Sequence, residues 1–360
     1  PPYQAVLNGS ITPRQAAKEM QDNAVRKIKD LRKEVGSPTA GIILEIIMLL
    51  AVILLLLMLR KSIIAFFRNI RKEKFAYALA LPAIGVMFIV ILYPFVYNII
   101  LSFSNMNLMH IRDWSIIGIE QYIQVFSEPE FYVIFLKTII WTGVNIFFHV
   151  FIGVSLALLL NRNLPGKGIF RTLLILPWAV PQYITALTWR GMFNYEFGAI
   201  NLFLVKIFDL PAVNWLNAPF QAFTAVIITN IWLGFPFMMI IALGALQSIP
   251  NELYEAAEMD GAKWFRKLKD ITIPLIKPVM IPAITLGVIW TFNNLNVIWL
   301  VSNGGEPSDK THILVSYVYK AAFNLYRYGY AAAFSMVIFL ILLVFGLTFM
   351  NRTRATESVY

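Results

Sequence analysis

Seven stretches of this chain, near residues 40–59, 76–103, 131–160, 171–191, 221–247, 278–300 and 326–350, are apolar over about the length a helix needs to cross a bilayer. In hydrocarbon every backbone N–H and C=O must find its partner within the structure, and an open chain manages that only as helix. The pattern predicts an all-α, polytopic integral membrane protein. Composition agrees: of 360 residues, 59% are hydrophobic and 14% charged, against roughly 25% charged in a water-facing domain. There is no cysteine, which excludes disulfides, thiolate metal sites and thiol nucleophiles.

The net charge of +10 reads as topology rather than as nucleic-acid binding, because Lys and Arg collect in the cytoplasmic loops of membrane chains. The link at 60–74 holds Arg60, Lys61, Arg68, Arg71, Lys72 and Lys74 and is placed in the cytoplasm. Alternation puts 161–170, 248–277 and the tail 351–360 on the same side. Taking Arg171 with the first short loop, these inner segments carry sixteen Lys and Arg. The outer loops carry only Arg112, Lys206, Lys310 and Lys320, with Arg190 and Arg327 at span ends.

Residues 1–39 run against that order. Thr12 and Pro13 make a helix start, and Ala17, Met20, Ala24, Ile28, Leu31 and Val35 recur every three or four positions until Gly36 and Pro38. If 40–59 is an additional span, this basic amphipathic helix falls outside, and a further span is expected ahead of residue 1. The alternative keeps the helix inside, with 40–59 lying along the membrane or docked on its neighbours.

The inner segment 248–277 is unusually polar. From Glu252 to Pro278 it carries five acidic and five basic residues. Asn251 is expected as N-cap, with Glu252 and Glu255 favourable to the helix dipole. Gly261 suits the left-handed turn that ends a short helix. Trp264, Phe265, Leu268 and Ile271 then form an apolar stripe, and Pro274 and Pro278 are expected to stop the second helix before the next span. The residues alone fit two readings, a loop lying on the membrane interface or a rigid helical knob for a soluble partner's groove.

Polar groups inside the spans are costly and so informative. Asn230 lies mid-span ahead of Gly234 and Pro236, which are expected to interrupt that helix. Thr291, Asn293, Asn294 and Asn296 follow in the next span, with Thr291 and Asn294 sharing a face. Amides and hydroxyls beside aromatic rings suit a neutral sugar; interhelical hydrogen bonding is the other reading.

The stretch "EAAEMDGAKWFRKLKDITIPLIKP" resembles the EAA loop of binding-protein-dependent ABC importer permeases, with Glu255, Ala256, Ala257 and Gly261 followed by Ile271-Thr272-Ile273-Pro274, Ile273 replacing the usual Leu. "LLILPWAVPQYITALTWRGMFN", "ITNIWLGFPFMMI", "FNNLNVIWLVSNGGEPSDKTHILVSYVYKAAF" and "YGYAAAFSMVIFLI" are similar to the carbohydrate-uptake branch of that family, the larger permease of maltose transporters. The likeness covers roughly 75–350 and implies a six-span permease core preceded by at least one extra span. It implies coupling to an ATPase through Glu255, Ala256, Ala257, Asp260 and Gly261, and sugar contacts at Asn230, Leu233, Gly234, Phe237, Gly287, Thr291 and Asn294. At three of these the chain departs from the maltose pattern: Phe237 stands for Tyr, Gly287 for Ser and Thr291 for Asn, so the sugar can differ. The outer loop 104–130 is also short where the maltose permease carries a folded external domain.

The resemblance further implies a heterodimer with a second permease, two ATP-binding cassette ATPase subunits, an extracytoplasmic solute-binding protein, a sugar substrate, a lipid surround and no nucleic acid, in the cytoplasmic membrane of a bacterium or archaeon. No cofactor and no catalysis by this chain are expected. The phosphate-binding pattern G-x-x-x-x-G-K-[ST] is absent, and His110, His149 and His312 have no metal-ligand spacing. His149 lies in a span and reads as a packed neutral imidazole. The alternative of an ion-coupled secondary transporter lacks the intramembrane carboxylate common in that class, since no core span carries a central acid.

Overall fold

The structure is a computed structural model that describes residues 12–32, 42, 43, 46, 60, 61, 65, 66, 68–70 and 72–353, with side chains left aside at 23, 25–32 and 350–353. The described residues form helices, one isolated bridge pairing and no strand. Residues 1–11 and 33–39, most of the expected span at 40–59, residues 62–64, 67 and 71 of the 60–74 linker and residues 354–360 lie outside them.

In chain order the helices are α1 (Pro13–Arg32), α2 (Lys74–Ser102), α3 (Glu120–Ser127), α4 (Pro129–Leu160), α5 (Lys167–Ala179), α6 (Gln182–Met192), α7 (Ala199–Phe208), α8 (Pro219–Gln247), α9 (Asn251–Met259), α10 (Trp264–Phe292), α11 (Leu295–Val301), α12 (Leu314–Tyr319) and α13 (Tyr328–Thr353). Five are long and apolar enough to cross a membrane: α2, α4, α8, α10 and Tyr328–Phe349 of α13. The sixth expected crossing, 171–191, is two shorter helices, α5 and α6. Pro181 accounts for the break, because it disfavours helical geometry at Val180, which sits extended at φ −78, ψ 135.

α1 starts where its residues predict. The Thr12 Oγ1 accepts from the Gln15 N–H at 3.3 Å, and Gln15 Oε1 accepts from the Thr12 N–H at 2.9 Å, a reciprocal cap.

The chain divides into two compact units, Pro1–Ser127 with Ala321–Met336, and Glu128–Lys320 with Val337–Tyr360. In the first, the start of α13 is tied to the loop after α2. The Gly329 N–H donates to Met106 at 2.8 Å and the Leu108 N–H to Tyr326 at 3.1 Å. Asn98 on α2 donates to Ser335 Oγ at 3.0 Å, and the Tyr122 hydroxyl lies 2.7 Å from that of Ser102.

In the second unit α4 packs along α8, and α10 closes against both. Two apolar clusters result. One joins Trp141, Ala186, Phe193, Val226, Leu233, Val297 and Ile298. The other joins Ala157, Leu160, Met239, Leu243, Leu246, Ile276 and Met280. Along α4 and α8 the level of His149 and Asn230 to Phe237 falls between them, and there the interior is polar.

Two expectations about proline are corrected here. Pro236 does not interrupt α8, which runs unbroken from Pro219 to Gln247. Pro274 and Pro278 do not stop a helix either, since α10 continues through them. The ring of Pro274 needs room at the carbonyl four residues back, that of Asp270, and Asp270 lies in a π turn, Leu268–Thr272, where the Ile273 N–H reaches five residues back to Leu268. The interruption falls instead at Asn293 and Asn294, between α10 and α11.

Candidate functional site

Two helix breaks and two continuous helices, α4 and α8, line an open cavity of about 680 Å³. The α5–α6 break supplies Trp178, Val180 and Gln182; α8 supplies Asn230, Leu233, Gly234 and Phe237; α10 and the break after it supply Gly287, Trp290, Thr291, Asn293 and Asn294. All seven residues carried over for sugar contact line this one space. Sequence reasoning missed Trp178, Gln182, Trp290 and His149, which line it too. Pro181 beside Trp178, and an ionisable ring inside a span, were the available signals.

Asn294 is not part of a continuous span face with Thr291. It is the N-cap of α11, where its Oδ1 accepts from the Val297 N–H at 3.3 Å. That bond fixes the amide's orientation, because a backbone N–H can only meet the oxygen. Asn294 Nδ2 therefore donates, to Asn230 Oδ1 at 2.8 Å. Asn230 Nδ2 is left buried and without a partner among the described residues. The Asn230 carbonyl accepts from His149 Nε2 at 2.9 Å. Gly234 is required beside it, since a Cβ there would come within 2.2 Å of the imidazole. A second bridge joins the two breaks, Asn296 Nδ2 donating to Gln182 Oε1 at 3.1 Å. The Thr291 carbonyl, one turn before the break, accepts from Trp141 Nε1 at 2.8 Å.

Three rings line one side. Phe237 stands between Trp178, at 6.3 Å between centroids, and Trp290, at 5.3 Å. Among the described residues, no Asp, Glu, Lys or Arg lines the cavity. Amides and apolar ring faces without a fixed charge suit an uncharged ligand with many hydroxyls and offer little to an ion.

The second feature is the polar segment after α8. α9 begins at Asn251 itself rather than after it, with Pro250 as the N-cap, so Asn251 is the first helical residue and not the cap. Its end is as expected: Gly261 takes φ +74, its N–H donates to Glu258 at 2.9 Å, and the Ala262 N–H donates to Ala257 at 2.8 Å, the paired bonds of a glycine-terminated helix. Glu255, Ala256, Asp260 and Gly261 are exposed, and Ala257 is half-buried. Met259 is 90% exposed, with Trp264 and Phe265 also exposed. Two ties hold α9 to the base of α10. The Tyr254 hydroxyl lies 3.1 Å from that of Thr272, and Lys267 pairs with Glu258. α9 is thus a rigid, exposed helix attached to the first turns of the helix that ends at the cavity.

Membrane-length helices that line an uncharged polar cavity and carry a tethered surface helix fit a permease. The comparisons with known proteins agree. A family profile described as "Binding-protein-dependent transport system inner membrane component" matches residues 149–354. The trehalose/maltose transport system permease protein MalF of Thermococcus litoralis is 35% identical over 285 residues, covering 79% of this chain and 95% of its own. The galactooligosaccharides permease GanP of Bacillus subtilis is 32% identical over 81% of this chain and 73% of its own. The maltose/maltodextrin permease MalF of Escherichia coli is 37% identical over 66% of this chain, which spans about half, 49%, of that relative. A solved bacterial ABC transporter that imports the acidic polysaccharide alginate has a chain of the same fold, with a TM-score of 0.70 at 23% identity, covering 82% of this chain and 100% of that one. The chain belongs to the binding-protein-dependent inner-membrane permeases, the transmembrane subunits of ABC importers.

Proposed function

We propose that this chain forms one half of the translocation path for a neutral oligosaccharide, a maltooligosaccharide or related glycoside, in an ATP-driven importer. The observation that carries this reading is the cavity, in which amides and aromatic rings converge and, among the described residues, no charged side chain takes part. Sugar hydroxyls need paired donors and acceptors, and sugar ring faces stack on aromatic rings. The relatives named for maltose, trehalose and galactooligosaccharides transport uncharged sugars. The alginate importer carries an acidic one, and among the described residues no Lys or Arg lines the cavity to match it.

In this reading the chain pairs with a second permease, is fed by an extracytoplasmic solute-binding protein and docks two ATPase subunits, α9 entering a groove on one of them. Glu255, Ala256, Ala257, Asp260 and Gly261 form that contact. Support comes from the exposure of α9 and from its ties to α10, which lead from the docking helix to Gly287 and Thr291 in the cavity. In this reading hydrolysis takes place in the ATPase subunits.

The test is the ATPase rate of the reconstituted complex, with the binding protein loaded from a panel of glycosides. Stimulation by maltodextrins or a related neutral glycoside is the expected result. Stimulation by acidic sugars alone, or by none, would overturn the substrate reading.

A further inference from the structure

Every polar atom of the pair Asn230 and His149 is accounted for except two. Asn230 Oδ1 accepts from Asn294 and the Asn230 carbonyl accepts from His149 Nε2. A carbonyl can only accept, so Nε2 carries the hydrogen, and in a neutral imidazole Nδ1 is then an acceptor. Nδ1 makes no bond among the described residues. The other open atom is Asn230 Nδ2, a donor buried without a partner. Both residues line the cavity, and the imidazole lies against Gly234 on the same wall.

We infer that His149 is a specificity-determining residue, reading one hydroxyl of the transported sugar together with Asn230. A hydroxyl is the group that fits the two open atoms, since it accepts from Asn230 Nδ2 and donates to His149 Nδ1 at once. A methylene in its place leaves the buried donor of Asn230 and the ring acceptor of His149 unpaired behind the sugar, which is the arrangement that rejects a deoxygenated analogue most strongly. The inference rests on the proposed neutral-sugar function and adds the residue that selects within that class. His149 also holds the Asn230 backbone, so the test must separate reading from positioning.

The experiment uses the complete reconstituted complex and measures apparent affinity for a stimulating oligosaccharide and for its singly deoxygenated analogues. One analogue is expected to bind the wild-type complex roughly tenfold or more weakly than the parent, the equivalent of one good hydrogen bond. His149→Leu and His149→Ser remove the ring acceptor. In both, the parent sugar should weaken by about the same factor and the preference over that analogue should shrink to within a few-fold. His149→Gln, which keeps both a donor and an acceptor, should restore part of the preference. A purely positioning role would weaken parent and analogue alike, leaving their ratio at the wild-type value in whichever variant assembles, and that result would overturn the inference. A wild-type complex that no neutral oligosaccharide stimulates would instead refute the proposed function itself.

Discussion

Asn294 donates to Asn230 at 2.8 Å, tying the cap of a seven-residue helix to the middle of a twenty-nine-residue span. The bond joins the cavity wall where α10 ends, so the local chemistry of a helix cap and the shape of the cavity depend on one amide. Asn294→Ala should remove the cap, at about 1 kcal/mol, and leave the Asn230 oxygen unpaired, at about 1–3 kcal/mol. Asn294→Asp keeps the cap but sets a carboxylate against the Asn230 oxygen. Both variants should lower the unfolding temperature of the purified complex, and both should lose sugar-stimulated ATPase. An Asp variant with full stimulation would show that the bond to Asn230 has no part in transport.

Gly234 has no room for a side chain beside His149. Gly234→Ala should cost about 1–3 kcal/mol through overpacking. Pairing it with His149→Ser, which empties the space, should recover part of the lost unfolding temperature relative to Gly234→Ala alone. Additive losses in the double variant would place the strain elsewhere.

The exposed face of α9 can be altered without touching the bundle. Glu255 is exposed, and Glu255→Ala should leave the unfolding temperature almost unchanged. Gly261→Ala asks an alanine to hold φ +74, at about 1–2 kcal/mol confined to the loop. In both, ATP hydrolysis should no longer respond to the loaded binding protein although the complex remains folded. Normal transport by the two variants would remove α9 from the coupling path.

Tyr254 tests the same path from inside. Tyr254→Phe keeps the packing against the apolar cluster and removes only the bond to Thr272, about 1 kcal/mol. The expected result is partial uncoupling, with more ATP hydrolysed per sugar moved. An unchanged stoichiometry would mean that packing alone transmits the movement of α9.

The loop before α12 should respond to acid. Burial pushes His312 below the ordinary histidine value, and Asp309 beside it at 3.3 Å only partly offsets this. Burial acts on Asp309 in the raising direction, but Lys320 at 2.6 Å and His312 hold its carboxyl below the ordinary value. As pH falls below about 6.5, the unfolded histidine value, an opened loop takes up a proton before the native one does, so stability falls with pH. The Asp309 contribution is complete above the unfolded carboxylate value and disappears as pH falls through its lower folded value. Amide exchange at 302–313, corrected for its own pH dependence, should quicken between pH 7 and 5, and His312→Gln should remove most of that change. A flat profile in the native protein would contradict this account.

Much of this was legible in the residues. Bilayer-length apolar runs allow no other backbone than helix, so fold class followed from hydropathy alone. The left-handed turn at Gly261 and the helix start at Thr12 and Pro13 were also readable, because these depend on a few neighbouring residues. Proline was misread three times, at Pro236, Pro274 and Pro278. Its missing N–H is a local fact, but whether a helix breaks depends on packing and on devices such as the π turn at 268–272, neither of which leaves a mark in the residue order.

The sequence by itself determined the class of protein and the polar residues inside its spans, because a buried amide in hydrocarbon is costly wherever it falls. Only the tertiary structure decided which of those groups meet. It broke the chain at Val180 and at Asn293, brought Trp178, Gln182 and His149 to the wall where Asn230 and Asn294 join, and left one donor and one acceptor open there. The pairings span 64 residues between Asn230 and Asn294 and 81 between His149 and Asn230, and contacts at such separations are set by how whole helices pack.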